Sequence, residues 1–310
     1  MERSTENLIK VSAPGKLMLL GEHAVVYGHP CIVTAVNKRV HAYVEHIDSP
    51  NDIVDAPQAK NPRFVLETIH HMKKKFGIRT FVKVRTNGDF SNGIGLGSSS
   101  AVTVATCAAL NTLWNLSLSQ REIFDISYKV VLSVQRVGSG FDTAAATFGG
   151  TLYYVRGGEV IDHIKIGTLP LVVGYTREKA NTAKIIKNVA KKYQREKKKI
   201  DNLFKHITQL VNKGRRELEN NNLKEFGKLM IEDHFVLKEL GVSTGRLDNL
   251  VNASIRAGSF GAKLSGAGGG DIMIALTSES NRKSVEKAIE EAGGEVIKVE
   301  TGIEGVISHN

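Results

Sequence analysis

Short apolar runs broken by polar residues fill positions 8–47, and the segments LIKVSAP, LMLLGEHAVVY, CIVTAV and VHAYVEHI read as a meander of strands. The period then changes. RFVLETIHHMKKKF at 63–76 spaces Phe64, Leu66, Ile69, Met72 and Phe76 as one face of a helix, and Gly77 stands where a helix stops. TFVKVRT at 80–86 returns to strand character. A glycine-rich turn next runs straight into a small-residue helix, NGIGLGSSSAVTVATCAALNTLW. Another helix starts at Ser119, with Glu122 three residues on as a capping box and a buried stripe of Ile123, Ile126, Val130 and Val134.

Strand signals reappear over 150–173 in GTLYYVRGG, EVIDHIKI and LPLVVGYT. Three or four helices fill 181–257, the last of which, LDNLVNASIRAG, turns Leu247, Leu250, Val251 and Ile255 one way. GAKLSGAGGGDIMIAL, a helix SNRKSVEKAIEEAG and a strand GEVIKVE follow. The pattern predicts an α+β protein of two domains, 1–170 and 171–310, divided where strands give way to helices. No internal repeat or low-complexity segment interrupts it.

Length agrees with this: 310 residues suit one large or two medium domains. No run approaches the roughly 20 apolar residues of a membrane span. The N-terminus MERSTENLIKVSAPGK has no apolar signal core, so a cytoplasmic protein is expected. Cys31 and Cys107 sit in apolar stretches without metal-ligand spacing and read as small buried hydrophobes. The net charge of +10 fits either a nucleic acid or an anionic small molecule as partner. Much of it is KKYQREKKK at 191–199 and Lys73 to Lys75, which read as solvated helix faces. Aromatic residues are only 6% and are not interleaved with the basic ones, which argues against stacking on bases.

Most of the 30 glycines fall in a few loops. In GIGLGSSSA, spanning Gly93 to Ala101, Gly95 and Gly97 clear space beside Leu96, and Ser98, Ser99 and Ser100 cap the helix that follows. A helix start has unpaired N–H groups and partial positive charge, so phosphate is its natural guest. Serine hydroxyls there can also reach Mg²⁺, which demands oxygen ligands. A plain flexible helix cap is the alternative. KLSGAGGGD, Lys263 to Asp271, carries more glycine than a loop requires and implies backbone packed against a ligand or another loop. Asp142 in VGSGFDTAAATFGG lies among small residues, where an acid caps a helix, is paired, or is catalytic. Lys16, Glu22 and His23 interrupt the apolar segment SAPGKLMLLGEHAVVYGHP and are either solvent-facing or functional.

In this order and spacing, APGKLMLLGEHAVVYGHP, GIGLGSSSA, GSGFD and KLSGAGGGD resemble the GHMP kinases, ATP-dependent enzymes that phosphorylate small molecules. The resemblance covers nearly the whole chain. It implies an N-terminal domain like the second domain of a ribosomal small-subunit protein and a ferredoxin-like C-terminal domain. It also implies roles. Asp142 matches the catalytic acid and Lys16 its lysine partner. Gly93, Gly95, Leu96, Gly97, Ser98, Ser99 and Ser100 match the ATP phosphate loop, with Ser99 on Mg²⁺. Lys16, Glu22, His23, Ser139, Gly140, Asp142, Ser265, Gly266 and Ala267 match the substrate pocket. Gly266 to Gly270 match the motif that supports the phosphate loop and the pocket floor.

GEHAVVYG and MIEDHFVLKELGVST resemble members that act on mevalonate. The expected reaction is therefore ATP-dependent phosphorylation of its 5-hydroxyl, with ATP, mevalonate and Mg²⁺ as ligands, no nucleic acid or membrane partner, and a homodimer left open. GSGFD and GAGGGD look more like members acting on phosphomevalonate, which keeps that acceptor or another small alcohol as the alternative. A basic RNA-binding protein is the remote one. One departure stands out. Members acting on mevalonate usually carry a metal-binding glutamate shortly before the catalytic acid, whereas here KVVLSVQRVGSGFD offers Gln135 and no acid between Asp125 and Asp142.

Overall fold

The computed structural model describes residues 8–59, 61–90 and 94–309. The predicted meander is instead two long antiparallel partners, β1 (Ile9–Leu20) and β2 (Cys31–Ile47), joined by a 3₁₀ turn at Ala24–Tyr27. The polar breaks within them are bulges, not turns. Pro14 pairs with Arg39 and Gly15 with Val36, so Asn37 and Lys38 bulge out of register while the pairing continues. A proline, which cannot donate to a ladder, is tolerated at such a point.

β3 (Ile53–Asp55), α1 (Arg63–Phe76), β4 (Phe81–Gly88), α2 (Ser98–Leu113), α3 (Gln120–Gln135), α4 (Phe141–Phe148), β5 (Thr151–Tyr154) and β6 (Ile161–His163) follow. α1 ends at left-handed Gly77, and α3 carries both halves of the Ser119–Glu122 capping box. α2 packs on β1 and β2, and its buried Ala101, Ala105 and Ala109 are small residues that permit a close approach, while Cys107 lies against Met72 of α1. Both cysteines are buried free thiols, and burial pushes Cys107 up to about 12.

β7 (Leu171–Tyr175) opens a second sheet. Four helices come next: α5 (Thr182–Arg195), α6 (Lys197–Glu219), α7 (Leu223–Leu240) and α8 (Gly245–Arg256). β8 (Gly261–Ser265), β9 (Ile272–Leu276), α9 (Arg282–Glu291) and β10 (Glu295–Ile297) complete this half, with strand order β10–β7–β9–β8. The chain then returns. β11 (Ile307–Ser308) pairs with β1, so the first sheet runs β11–β1–β2–β4–β3, with β5 on β2 and β6 on β5. The basic run at 191–199 is partly engaged: Lys192 donates to the carbonyls of Glu239 and Leu240, and Lys197 and Lys199 pair with Asp201 and Glu239. Among the described residues, no helix is long and apolar enough to cross a membrane.

Candidate active site

β1 delivers Lys16 to the start of α2. Gly15 makes this possible, because a Cβ there would meet the Leu96 carbonyl at 2.8 Å. With glycine present the loop lies directly on the strand, and Lys16 N donates to Leu96 O at 3.0 Å. The Leu96 side chain is buried in the core. Gly97 is the N-cap of α2 in left-handed conformation, φ 78°. The serines do not cap the helix as expected: no side chain does, and they form its first turn. Ser100 is buried, within 3.3 Å of the Thr143 hydroxyl, so it ties α2 to α4. Ser98 and Ser99 remain partly open beside the free N–H groups of that turn. Gly93 lies outside the described residues.

Asp142 arrives from the opposite side on the first turn of α4. Gly140 caps that helix at φ 93°, and a Cβ there would meet the Tyr154 hydroxyl at 2.4 Å. Tyr154 and Tyr128 donate to the carbonyls of Ser139 and Gly138, at 2.6 and 3.1 Å, and pin the loop. Asp142 Oδ1 then sits 3.2 Å from Lys16 Nζ, which also donates to Gly95 O at 3.0 Å. That Oδ1 is buried and its charge is met by the Lys16 ammonium, while the Asp142 side chain as a whole stays 34% exposed.

Lys16, Asp142, Gly95, Ser98 and Ser99 face a cavity of about 280 Å³, also lined by His23, Val25, Val26, Val131, Gln135, Val137 and Ser139. His23 Nε2–H donates to Ala267 O at 2.9 Å. Burial lowers the His23 pKa, so the ring is neutral with Nδ1 as an acceptor. A second hollow of about 840 Å³, walled by Pro62, Phe64, Val65 and Val102, shares Phe90, Ser98, Ser99 and Lys179 with the first. The two meet at the start of α2.

Three expected contacts have other occupations. Glu22 lines the cavity, yet its carboxylate is fully buried against Lys263, whose Nζ also lies 3.3 Å from Asp233. The Ser265 hydroxyl accepts from Met18 N and donates to Met18 O, which joins β8 to β1. The glycines after it answer to backbone crowding: Cβ atoms at Gly268 and Gly270 would meet Val242 O at 2.2 Å and Glu178 O at 2.6 Å. Only Gly266 of that run has open space around it.

Two charged residues that line the cavity, Asp271 and Lys179, are not among the site residues expected from sequence. Both lie where β9 and the loop after β7 meet the glycine-rich loop that opens α2, a junction with no local signature in sequence. For a divalent cation, no group of three His, Cys, Asp or Glu side chains among the described residues could act alone. The cavity does collect oxygen donors: Ser98, Ser99, Asp142 and Asp271. That set fits a Mg²⁺ already carried by phosphate oxygens.

Residues 63–150 match the family model described as GHMP kinases N terminal domain, and residues 215–295 match GHMP kinases C terminal. The chain is 35% identical to the mevalonate kinase of Pyrococcus abyssi, over 93% of each protein. It is 34% identical to that of Thermococcus sibiricus, over 96% of this chain and 97% of the relative. Its fold superposes on the crystal structure of L. major mevalonate kinase in complex with R-mevalonate, with a TM-score of 0.85 at 26% identity over 98% of this chain and 99% of that one. With matches that run through both halves at this level of identity, the chain belongs to the GHMP kinase family.

Proposed function

We propose that the protein transfers the γ-phosphoryl group of ATP to the 5-hydroxyl of mevalonate. The observation that carries this reading is the Lys16–Asp142 pair, 3.2 Å apart, facing the uncapped first turn of α2 across one cavity. Phosphoryl transfer asks for positioning and charge neutralisation more than for covalent chemistry by the protein. The start of α2 supplies N–H donors and the helix dipole for the phosphates. The larger hollow is of a size and wall composition to take the base and ribose. Mg²⁺ carried in with the nucleotide would neutralise phosphate charge, held from the protein side by Ser98 or Ser99 and a cavity carboxylate.

In the reaction, the acceptor hydroxyl donates to the Asp142 carboxylate, whose side chain stays 34% exposed while its Oδ1 is buried against Lys16. Its proton passes to that carboxylate as its oxygen bonds to the γ-phosphorus and the bond to the β–γ bridging oxygen breaks. Lys16 holds positive charge beside the oxygen that becomes electron-rich, where fixed charge is most effective. Neutral His23 offers Nδ1 to a second hydroxyl of the acceptor, and Val25, Val26, Val131 and Val137 offer an apolar wall for its methyl group.

Phosphomevalonate is the competing acceptor. Lys16 and Lys179 are the only lysines among the described lining residues and no arginine joins them, which suits a monoanion better than a phosphate ester. A coupled ADP-release assay across mevalonate, phosphomevalonate, homoserine and galactose tests this. Mevalonate should give the largest kcat/KM, and a roughly tenfold preference for phosphomevalonate, about 1.4 kcal/mol in transition-state binding, would overturn the assignment.

A further inference from the structure

Asp271 occupies a position where glycine would be the easier choice. It follows Gly268, Gly269 and Gly270 and is itself left-handed, φ 55°. A non-glycine residue is uncommon there, although Asp tolerates it better than most. Its backbone is fixed from both sides: Asp271 N donates to Glu178 O at 2.7 Å, and Thr176 N donates to Asp271 O at 2.8 Å. The carboxylate is divided. Oδ1 accepts from Ala180 N at 2.9 Å. Oδ2 has no hydrogen-bond partner among the described residues, and a Cβ on Gly95 would lie 3.6 Å from it.

A carboxylate oxygen thus faces the loop that would hold the nucleotide phosphates. Two anions in that proximity repel unless a cation lies between them. Lys16 is already engaged with Asp142 and Gly95 O, and Lys179 acts on the Asp271 carboxylate only from a distance, with no ion pair or hydrogen bond to it among the described residues. Glu22 is closed off by Lys263, and the segment before Asp142 has no acid. We propose that Asp271 Oδ2 is the protein carboxylate that meets the nucleotide-bound divalent cation, and that it takes the place of the acid missing between Asp125 and Asp142. This inference rests on the kinase reading above.

Two substitutions separate charge from architecture. Asp271→Asn keeps the left-handed preference and the amide oxygen for Ala180 N but removes the charge. Asp271→Gly keeps the backbone and removes both. The probe is Mn²⁺, titrated by electron paramagnetic resonance with and without a non-hydrolysable ATP analogue, alongside calorimetric ADP binding in chelator. Wild type should hold Mn²⁺ tightly only with nucleotide present. Both variants should bind it about tenfold more weakly in that complex, the usual cost of altering a metal's protein partners. Metal-free ADP should bind the variants as well as wild type or better, because a repulsion has gone. Unchanged Mn²⁺ affinity in Asp271→Asn, or a loss confined to Asp271→Gly, would show that only the Ala180 clamp matters and overturn the inference. Failure of wild type to bind nucleotide at all would overturn the kinase reading, and this inference with it.

Discussion

Lys16 reaches two oxygens on different elements, the Asp142 carboxylate and the Gly95 carbonyl, and so ties α4 to the loop that opens α2. Asp142→Asn and Lys16→Met should each lower kcat by on the order of a hundredfold or more, the range for lost acid–base or electrostatic help. ADP affinity, measured by calorimetry, should change little. A folded variant with near-normal turnover would make the residue merely structural. Both residues were legible in sequence because a charged side chain among small or apolar neighbours needs a partner or a task. Asp271 was not, because an acid at the end of a glycine run looks like any polar loop residue. Nor was the true use of Glu22, since its partner Lys263 is 241 residues away.

At the scale of elements, helices announced themselves and long strands did not. The 63–76 and Ser119 helices carry their period and their end signals in local sequence. β1 and β2 hide theirs, because Pro14-Gly15 and Asn37-Lys38 have the composition of turns while acting as bulges. α2 depends on a single glycine for its entry. Gly97→Ala would put a methyl 3.2 Å from the Lys16 side chain at a φ of 78°. The left-handed penalty alone is roughly 1–2 kcal/mol. The variant should melt a few degrees lower and, by displacing the first N–H groups of α2, raise KM for ATP roughly tenfold or more. Unchanged KM in a thermal and kinetic comparison would mean that the loop relaxes without moving those N–H groups.

Across the whole molecule, the two halves meet at a buried charge cluster. Glu22 follows β1, Asp233 lies in α7 and Lys263 in β8, and all three side chains are fully buried. Two acids share one lysine, so one acid tends to keep its proton. Burial, opposed by Lys263 and reinforced by Asp233, pushes Glu22 up to about 7. A raised folded-state pKa means the native state binds the proton more tightly than the unfolded chain does. The stability it lends is complete below the unfolded value near 4.5 and is lost as pH rises through about 7. Wild type should therefore lose melting temperature between about pH 5 and pH 7, and Glu22→Gln should flatten that slope because one acid and one lysine remain. Lys263→Met, which strands both acids, should cost on the order of 3–5 kcal/mol by denaturant unfolding at pH 8. An equal slope in wild type and Glu22→Gln would show that Glu22 does not titrate in that range.

The pairing of Ser12 with Ile307 and Val11 with Ser308 sets a timetable for biosynthesis. An N-terminal edge strand waits for a partner made almost 300 residues later, so the ribosome must deliver nearly all of the chain described here before the first sheet can close. Until then, a growing polypeptide displays an unfinished sheet edge next to other nascent chains, a state that favours sticking between molecules. Arg39, which clasps the carbonyls of Glu304 and Gly305, is ready to receive the late segment when it emerges.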